Sequence, residues 1–137
     1  MRRVDATYKS EPLPENSDET KIRKMVGKNF IEEVFEQQDK SVMVLFIDSK
    51  DEQSHQEINL AVQRFADKYY EAYKDRMNVG IFDLAKNEHQ SLTINSAPEL
   101  VIFERTNKKK PKFFKGSPSE DTIKNFVNYE VRDITIP

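Results

Sequence analysis

A nearly unbroken apolar run, Ser41–Ile47, limits the folds open to this chain more than any other feature. The run is seven residues long, rich in β-branched side chains and bounded by charged segments. A run of this kind predicts a β-strand buried on both faces. Such a strand needs a layer of structure on each side, which the neighbouring segments must supply.

The segments around this run predict those layers. Ile22 and Met25 favour a short strand ending at Gly27, and Asn29 is expected to cap a helix that runs through Phe35. The remaining predicted elements are a long helix over about residues 51–73, strands at residues 77–82, 99–103 and 112–114, and a last helix starting at Ser117 or Ser119. This order predicts an α/β fold in which a mixed central sheet is sandwiched between helices.

The length and net charge of the chain limit the number of domains and the classes of partner that we expect. The 137 residues suit one domain, which we assign to residues 21–131, with an extended linker at residues 1–20 and a C-terminal tail at residues 132–137. The formal charge of −2 gives no long-range attraction to nucleic acid or to a membrane surface, so neither is expected as a partner. No apolar run is long enough to span a bilayer.

The sequence contains no cysteine. Disulfide bonds, a redox CxxC motif and thiolate metal sites are therefore excluded. No other cofactor motif stands out, so neither a cofactor nor a bound metal is expected.

Several short strings resemble those of one known family. Ala97-Pro98 lies directly before the strand at residues 99–103, where that family keeps a cis-proline. Residues 26–30 look like the opening of the family's catalytic domains, residues 107–116 look like their last hairpin, and residues 9–15 resemble the linker before their C-terminal domain. The family is that of the protein disulfide isomerases. By this resemblance the chain is identified as an a′-type thioredoxin-like domain.

The reactive motif of that family is missing. The family places two cysteines after the buried strand, and this region holds Asp51, Glu52, Gln53, Ser54 and His55 here. Either Asp51 with Ser54 or Glu52 with His55 takes the two cysteine positions. Thiol–disulfide exchange requires a thiolate that attacks a sulfur, so the domain is expected not to be an enzyme of this class.

The supporting chemistry has changed as well. Active members bury a glutamate and a lysine on neighbouring strands as a proton shuttle, and the matching positions here are Leu45 and Ile81. Buried charges cost several kcal/mol each unless they are well paired. We therefore expect Leu45 and Ile81 to be buried apolar neighbours. The loop arginine of active members is also missing, because Gly116 is followed by Ser117-Pro118.

Two interpretations of the replaced motif remain. Ser49 and Glu52 have the S-x-x-E spacing of a capping box, which would make this segment an ordinary helix start. Alternatively, Asp48, Asp51, Glu52 and His55 would gather on one helical turn as a weak divalent-metal site, although no recognised motif has this spacing.

The resemblance also implies a binding surface. In thioredoxin relatives, the backbone just before the cis-proline pairs with an extended peptide, which requires main-chain groups and no cysteine. Ile94, Ala97 and Pro98, with Lys50 opposite, are the residues expected to form it. The implied function is a redox-inactive domain that binds unfolded or partner proteins in the endoplasmic reticulum lumen. The alternative is a spacer that contacts the other domains of a larger parent chain.

Overall fold

The computed structural model describes residues 9–14, 20–88, 94 and 96–137. Its elements are strands β1 (Arg23–Met25), β2 (Ser41–Ile47), β3 (Met77–Asp83), β4 (Glu99–Phe103) and β5 (Lys112–Phe113), and helices α1 (Glu52–Tyr73) and α2 (Glu120–Glu130). A single π-helical turn, Ile31–Phe35, lies between β1 and β2. No helix in these described ranges is long and apolar enough to cross a membrane.

The five strands form one mixed sheet in the order β1-β3-β2-β4-β5. β1, β3 and β2 run parallel, and β4 pairs antiparallel with β2 and with β5. β2 is central and is buried at every position except the last, Ile47. The α/β class, the mixed sheet and the doubly buried strand predicted from the sequence are therefore confirmed.

Each face of the sheet carries its own hydrophobic core. Because side chains alternate along a strand, Met43 and Leu45 of β2 point to one core while Val44 and Phe46 point to the other. The first core is closed by α1 and α2. The second is built around Phe30, whose ring lies 5.2 to 6.3 Å from the rings of Phe46, Phe82 and Phe103.

The prediction that Asn29 caps a helix is wrong. Its side-chain Oδ1 accepts a hydrogen bond from the Val26 N–H at 2.8 Å, so it closes the turn after β1 instead. The helix expected to follow is the single π-helical turn, which begins without a side-chain cap. α2, in contrast, is capped by Ser119 as predicted: the Ser119 hydroxyl accepts the Thr122 N–H, and the Thr122 hydroxyl accepts the Ser119 N–H.

Both flanking segments contact the domain where the structure describes them. The Lys9 carbonyl accepts the Glu88 N–H at 2.7 Å, and a Cβ on Gly27 would lie 3.0 Å from that carbonyl, which explains the glycine. At the other end, Ile136 is buried in the first core and its N–H donates to the Asn128 side chain at 2.7 Å. Residues 1–8 and 15–19 of the predicted linker lie outside the described residues.

Candidate peptide-binding site

The sheet topology brings the two predicted halves of the site to one edge. Phe46, near the end of β2, pairs with Glu99, the first residue of β4. The residues directly after β2 and those directly before β4 therefore meet at the same end of the sheet. This places the turn at residues 48–51 and the Ala97–Pro98 segment beside each other.

Asp83 holds the turn after β2 in place. Its carboxylate accepts the N–H groups of Ser49 at 3.1 Å and of Ala85 at 3.0 Å. Burial opposes the ionised form of Asp83, but the hydrogen bonds from Ser49 and Ala85 outweigh it and lower the pKa of this carboxyl. The Asp48 carboxylate also accepts the Lys50 N–H at 2.9 Å, so the turn has a fixed shape.

The predicted capping box between Ser49 and Glu52 is wrong. The N-cap of α1 is Asp51, two residues later than Ser49, and no side chain caps the helix there. The Ser49 N–H is already engaged by Asp83, which holds Ser49 in the turn and away from the helix end. Ser54 instead bonds back to the Asp51 carbonyl through its hydroxyl at 2.8 Å.

The five residues at the predicted cysteine positions, residues 51–55, differ in exposure. Asp51, Glu52, Gln53 and Ser54 are exposed, whereas His55 is only 7% exposed. Its Nδ1 is buried and has no hydrogen-bond partner among the described residues. Within the same ranges, no three His, Asp or Glu side chains gather closely enough to hold a metal ion, so the metal interpretation gains no geometric support.

Ala97 and Pro98 lie at the surface of this edge. Their peptide bond is cis, as the resemblance implies, and both residues are partly exposed. In the described part of the chain, the main-chain groups of Ser96 and Ala97 take part in no hydrogen bond. One donor and one acceptor per residue are thus unpaired within the described ranges, beside an exposed turn.

Ile94 contributes differently from the expectation. Its side chain is 8% exposed and packs in the second core. The Ile94 side chain is therefore not available to contact a ligand, contrary to the expectation. Lys50, in contrast, is exposed on the turn opposite.

The two residues that the resemblance aligns with a proton shuttle are register partners, since Leu45 lies opposite Ile81. Leu45 is fully buried as predicted, but Ile81 is partly exposed, so the prediction that both are buried is wrong for Ile81. Ile81 is one of the partly buried residues that pack against the first core, next to the edge strand β1. Ile81 lies in the wall of a 300 Å³ cavity together with Ile22 and Ile47.

This cavity was missed at the sequence level. Its rim includes Glu11, whose carboxylate lies 2.8 Å from the Lys24 ammonium. The hydrogen bond from Lys24 lowers the pKa of Glu11, against the opposing effect of partial burial. Asp83, which holds the turn after β2, also lines the cavity, so the cavity adjoins the predicted surface. No local pattern signals it, because its residues come from four separate segments.

The chain also matches a known protein family over most of its length. A family model described as a thioredoxin-like domain matches residues 16–129. The matched range contains all five strands and almost all of α2, and it includes both halves of the surface described above.

Proposed function

Because this chain belongs to the thioredoxin-like domain family and has no cysteine, we propose that it is a redox-inactive domain that binds unfolded or partner proteins. The observation that carries the proposal is the main chain of Ser96 and Ala97, which forms no hydrogen bond within the described ranges and lies directly before β4, beside the turn at residues 48–51. Free N–H and C=O groups in an extended segment form the template that β-augmentation uses.

The bound segment is an extended peptide that pairs with Ser96 and Ala97. Its side chains contact the partly exposed apolar surface of Ala97 and Pro98 on one side and the Lys50 turn on the other. A short augmented strand buries little surface, so binding is weak and tolerant of sequence. Weak and tolerant binding suits a protein that handles unfolded chains.

Thiol–disulfide chemistry is not part of the proposal. The chain supplies no sulfur nucleophile, and Leu45 stands where a buried proton-shuttling carboxyl would be needed. We expect the isolated domain to reduce insulin and to reactivate scrambled ribonuclease at no more than the rate without protein. Turnover above that background would contradict this part of the proposal.

The finer assignment to the protein disulfide isomerases, and with it the endoplasmic reticulum lumen, rests on the strings around Gly27, Pro98 and Gly116. We expect an antibody against this domain to stain the endoplasmic reticulum and to detect the protein in sealed microsomes only after detergent treatment. Staining of another compartment would contradict this location and leave the peptide-binding proposal standing.

A structural observation favours the alternative of a spacer domain. Asn87 binds the incoming segment through two hydrogen bonds with Glu11, at 2.8 Å to its N–H and 2.7 Å to its carboxylate. A preceding domain attached through such a segment would be held at a restricted angle. In that case the Ala97 surface would be without a ligand.

Matched variants separate the two functions. Ala97→Glu introduces a bulky charge beside the free main chain, and Gln38→Glu makes a comparable neutral-to-acidic change on an exposed residue before β2, at the far end of the sheet. We expect Ala97→Glu to abolish binding of a fluorescent extended apolar peptide in anisotropy titrations, and Gln38→Glu to retain it. Equal affinities for the parent and both variants, or no binding to the parent, would favour the spacer.

A further inference from the structure

The residues that follow α2 pack into the first core. We call residues 132–137 the strap. Ile134 and Ile136 of the strap are 4% and 3% exposed and belong to the first core, whereas Thr135 between them and Pro137 after them are exposed. Burial at every second residue is typical of an extended chain laid on an apolar surface. The strap therefore contacts the domain as a bound peptide would.

One side chain of α2 holds the main chain of the strap. The Asn128 amide accepts the Ile136 N–H at 2.7 Å through its Oδ1 and donates to the Ile136 carbonyl at 3.0 Å through its Nδ2. This pairing recognises an extended backbone whatever side chain it carries. In the described part of the chain, the only other main-chain hydrogen bond of the strap joins the Ile134 N–H to the Val131 carbonyl, at 3.4 Å.

The acidic residue of the strap, Asp133, is incompletely paired. Its Oδ2 lies 3.5 Å from Nη1 of Arg76 and 3.5 Å from Nε of Arg105. Charge-assisted N–H···O bonds are ordinarily about 2.7–2.9 Å long, so both contacts are loose. The other carboxylate oxygen, Oδ1, is buried and has no partner among the described residues, which is rare for a buried polar atom. Two cations thus converge on a carboxylate that satisfies neither of them fully.

The two arginines lie at the end of the sheet opposite to the candidate peptide-binding site. Arg76 directly precedes β3, and Arg105 follows β4 by two residues. The start of β3 and the end of β4 both pair with the start of β2, whereas Ala97 lies beside the end of β2. We call the surface beneath the strap the strap groove. It comprises Arg76, Arg105, Asn128 and the part of the first core that the two isoleucines fill.

We propose that the strap groove is a second peptide-binding site, which the chain's own strap occupies and from which an extended segment of another protein displaces it. The matching segment has an acidic residue, an apolar residue directly after it and a second apolar residue two positions further on, as Asp133, Ile134 and Ile136 do. Its acid contacts the two arginines, its apolar side chains enter the first core, and Asn128 pairs with its main chain.

A glutamate at the acidic position gives the incoming segment an advantage over the strap. Its side chain is one methylene longer than that of Asp133, so its carboxylate approaches Arg76 and Arg105 more closely. The incoming segment has to overcome the high effective concentration of a strap that belongs to the same chain. Binding therefore becomes tighter when the strap is loosened, and weaker when the strap itself carries the better acid.

A labelled peptide of sequence Arg-Glu-Ile-Thr-Ile-Pro, the strap sequence with glutamate in place of aspartate, is the probe. Ile136→Thr loosens the strap and leaves the groove unchanged, so this variant should bind the peptide about tenfold more tightly than the parent chain in anisotropy titrations. The control Thr135→Ser, at the exposed neighbouring position, should bind like the parent. Asp133→Glu, which tightens the strap, should bind more weakly than the parent.

The acidic position tests the role of the arginines. In the Ile136→Thr chain, a peptide with glutamine in place of glutamate should bind about tenfold more weakly, because it loses a hydrogen bond between two charged groups. Adding Arg105→Gln should abolish this preference for glutamate. The control Lys109→Gln removes an exposed cation from the same turn and should preserve it.

Three results would overturn the proposal. Equal affinities of the parent and a folded Ile136→Thr would mean that the strap does not compete with the peptide. Amide shifts centred on Ala97, with none at Asn128, would mean that the peptide binds only at the candidate peptide-binding site. Dimerisation of Ile136→Thr without peptide binding would mean that a second copy supplies the occupant. If a thermal melt shows Ile136→Thr to be unfolded, the parent chain decides: excess peptide should shift the Thr135 and Ile136 amides, and unchanged amides would refute the displacement.

Discussion

Leu45 of β2 lies directly opposite Ile81 of β3, and the two residues differ in exposure although they share one row of the sheet. Leu45 is fully buried beneath α1 and α2, whereas Ile81 borders the cavity under the edge strand β1. A charge placed at the first position would have no water nearby, and a charge at the second would reach solvent.

Because the two positions differ in exposure, a charge introduced at Leu45 should reduce stability more than a charge introduced at Ile81. Leu45→Glu should lower the free energy of unfolding by about 3–5 kcal/mol, because it buries a carboxyl without a partner. Ile81→Lys should cost less, since its long side chain reaches water through the cavity. The double variant should recover part of the loss by forming an ion pair. Urea denaturation measures all three, and a Leu45→Glu variant as stable as the parent would refute the buried position of Leu45.

At Tyr73 we predict a substitution that raises the stability of the protein. Its hydroxyl is buried without a partner among the described residues, and burial raises the pKa of this group far above its ordinary value. Tyr73→Phe removes an unsatisfied polar atom and keeps the stacking with Phe65 at 5.3 Å. We expect the variant to gain about 1 kcal/mol of stability. A clear loss of stability would show that the hydroxyl has a partner in solution.

Asn87 ties the incoming segment to the domain. Its Oδ1 accepts the N–H groups of Glu11 and Gly27, at 2.8 and 3.0 Å, and its Nδ2 donates to the Asp83 carbonyl at 3.1 Å. Asn87→Ala should cost about 2–3 kcal/mol, because it leaves two N–H donors unpaired.

Amide hydrogen exchange measures the loss of the Asn87 hydrogen bonds at individual residues. The Glu11 and Gly27 amides should lose protection in Asn87→Ala, while the exposed control Asn125→Ala, on α2, should leave both unchanged. Unchanged exchange at Glu11 in Asn87→Ala would mean that this segment is not held by the side chain.

Lys108 predicts a dependence of stability on pH. Its ammonium donates to the carbonyls of Val34 and Gln37, which are distant in sequence, and burial lowers its pKa from 10.5 to about 8. Between these values the unfolded chain binds the proton more tightly than the folded one, so the stability contributed by Lys108 rises as the pH increases through this window. The unfolding free energy of the parent minus that of Lys108→Met should therefore become more positive as the pH rises from about 8 to 10.5. A difference independent of pH would contradict the lowered pKa.

The parts of the fold that could be predicted from the sequence are those with local causes. The apolar run of β2 and the three-to-four-residue spacing of Ile58, Val62 and Phe65 in α1 depend on neighbouring residues alone, and both elements form as expected. The cis bond at Ala97–Pro98 was implied by the resemblance rather than by any pattern, and it is confirmed.

The features that the sequence did not predict depend on contacts between residues that are far apart in the chain. The capping box at Ser49 is prevented by Asp83, which lies 34 residues away and takes the Ser49 N–H. The contact between Glu11 and Asn87 spans 76 residues. The partly exposed Ile81 lines a cavity that residues from several separate segments form. The spacing of nearby residues does not indicate these contacts, so they could be identified only in the three-dimensional structure.

The central claim is that the free main chain before β4 is a peptide-binding edge, and the most direct test is a titration of the ¹⁵N-labelled domain with an extended apolar peptide. We predict amide shift changes centred on Ser96 and Ala97 and on residues 50–54, with weak and saturable binding. Changes confined to the Lys40 end of the sheet, or no change at millimolar peptide, would contradict the claim.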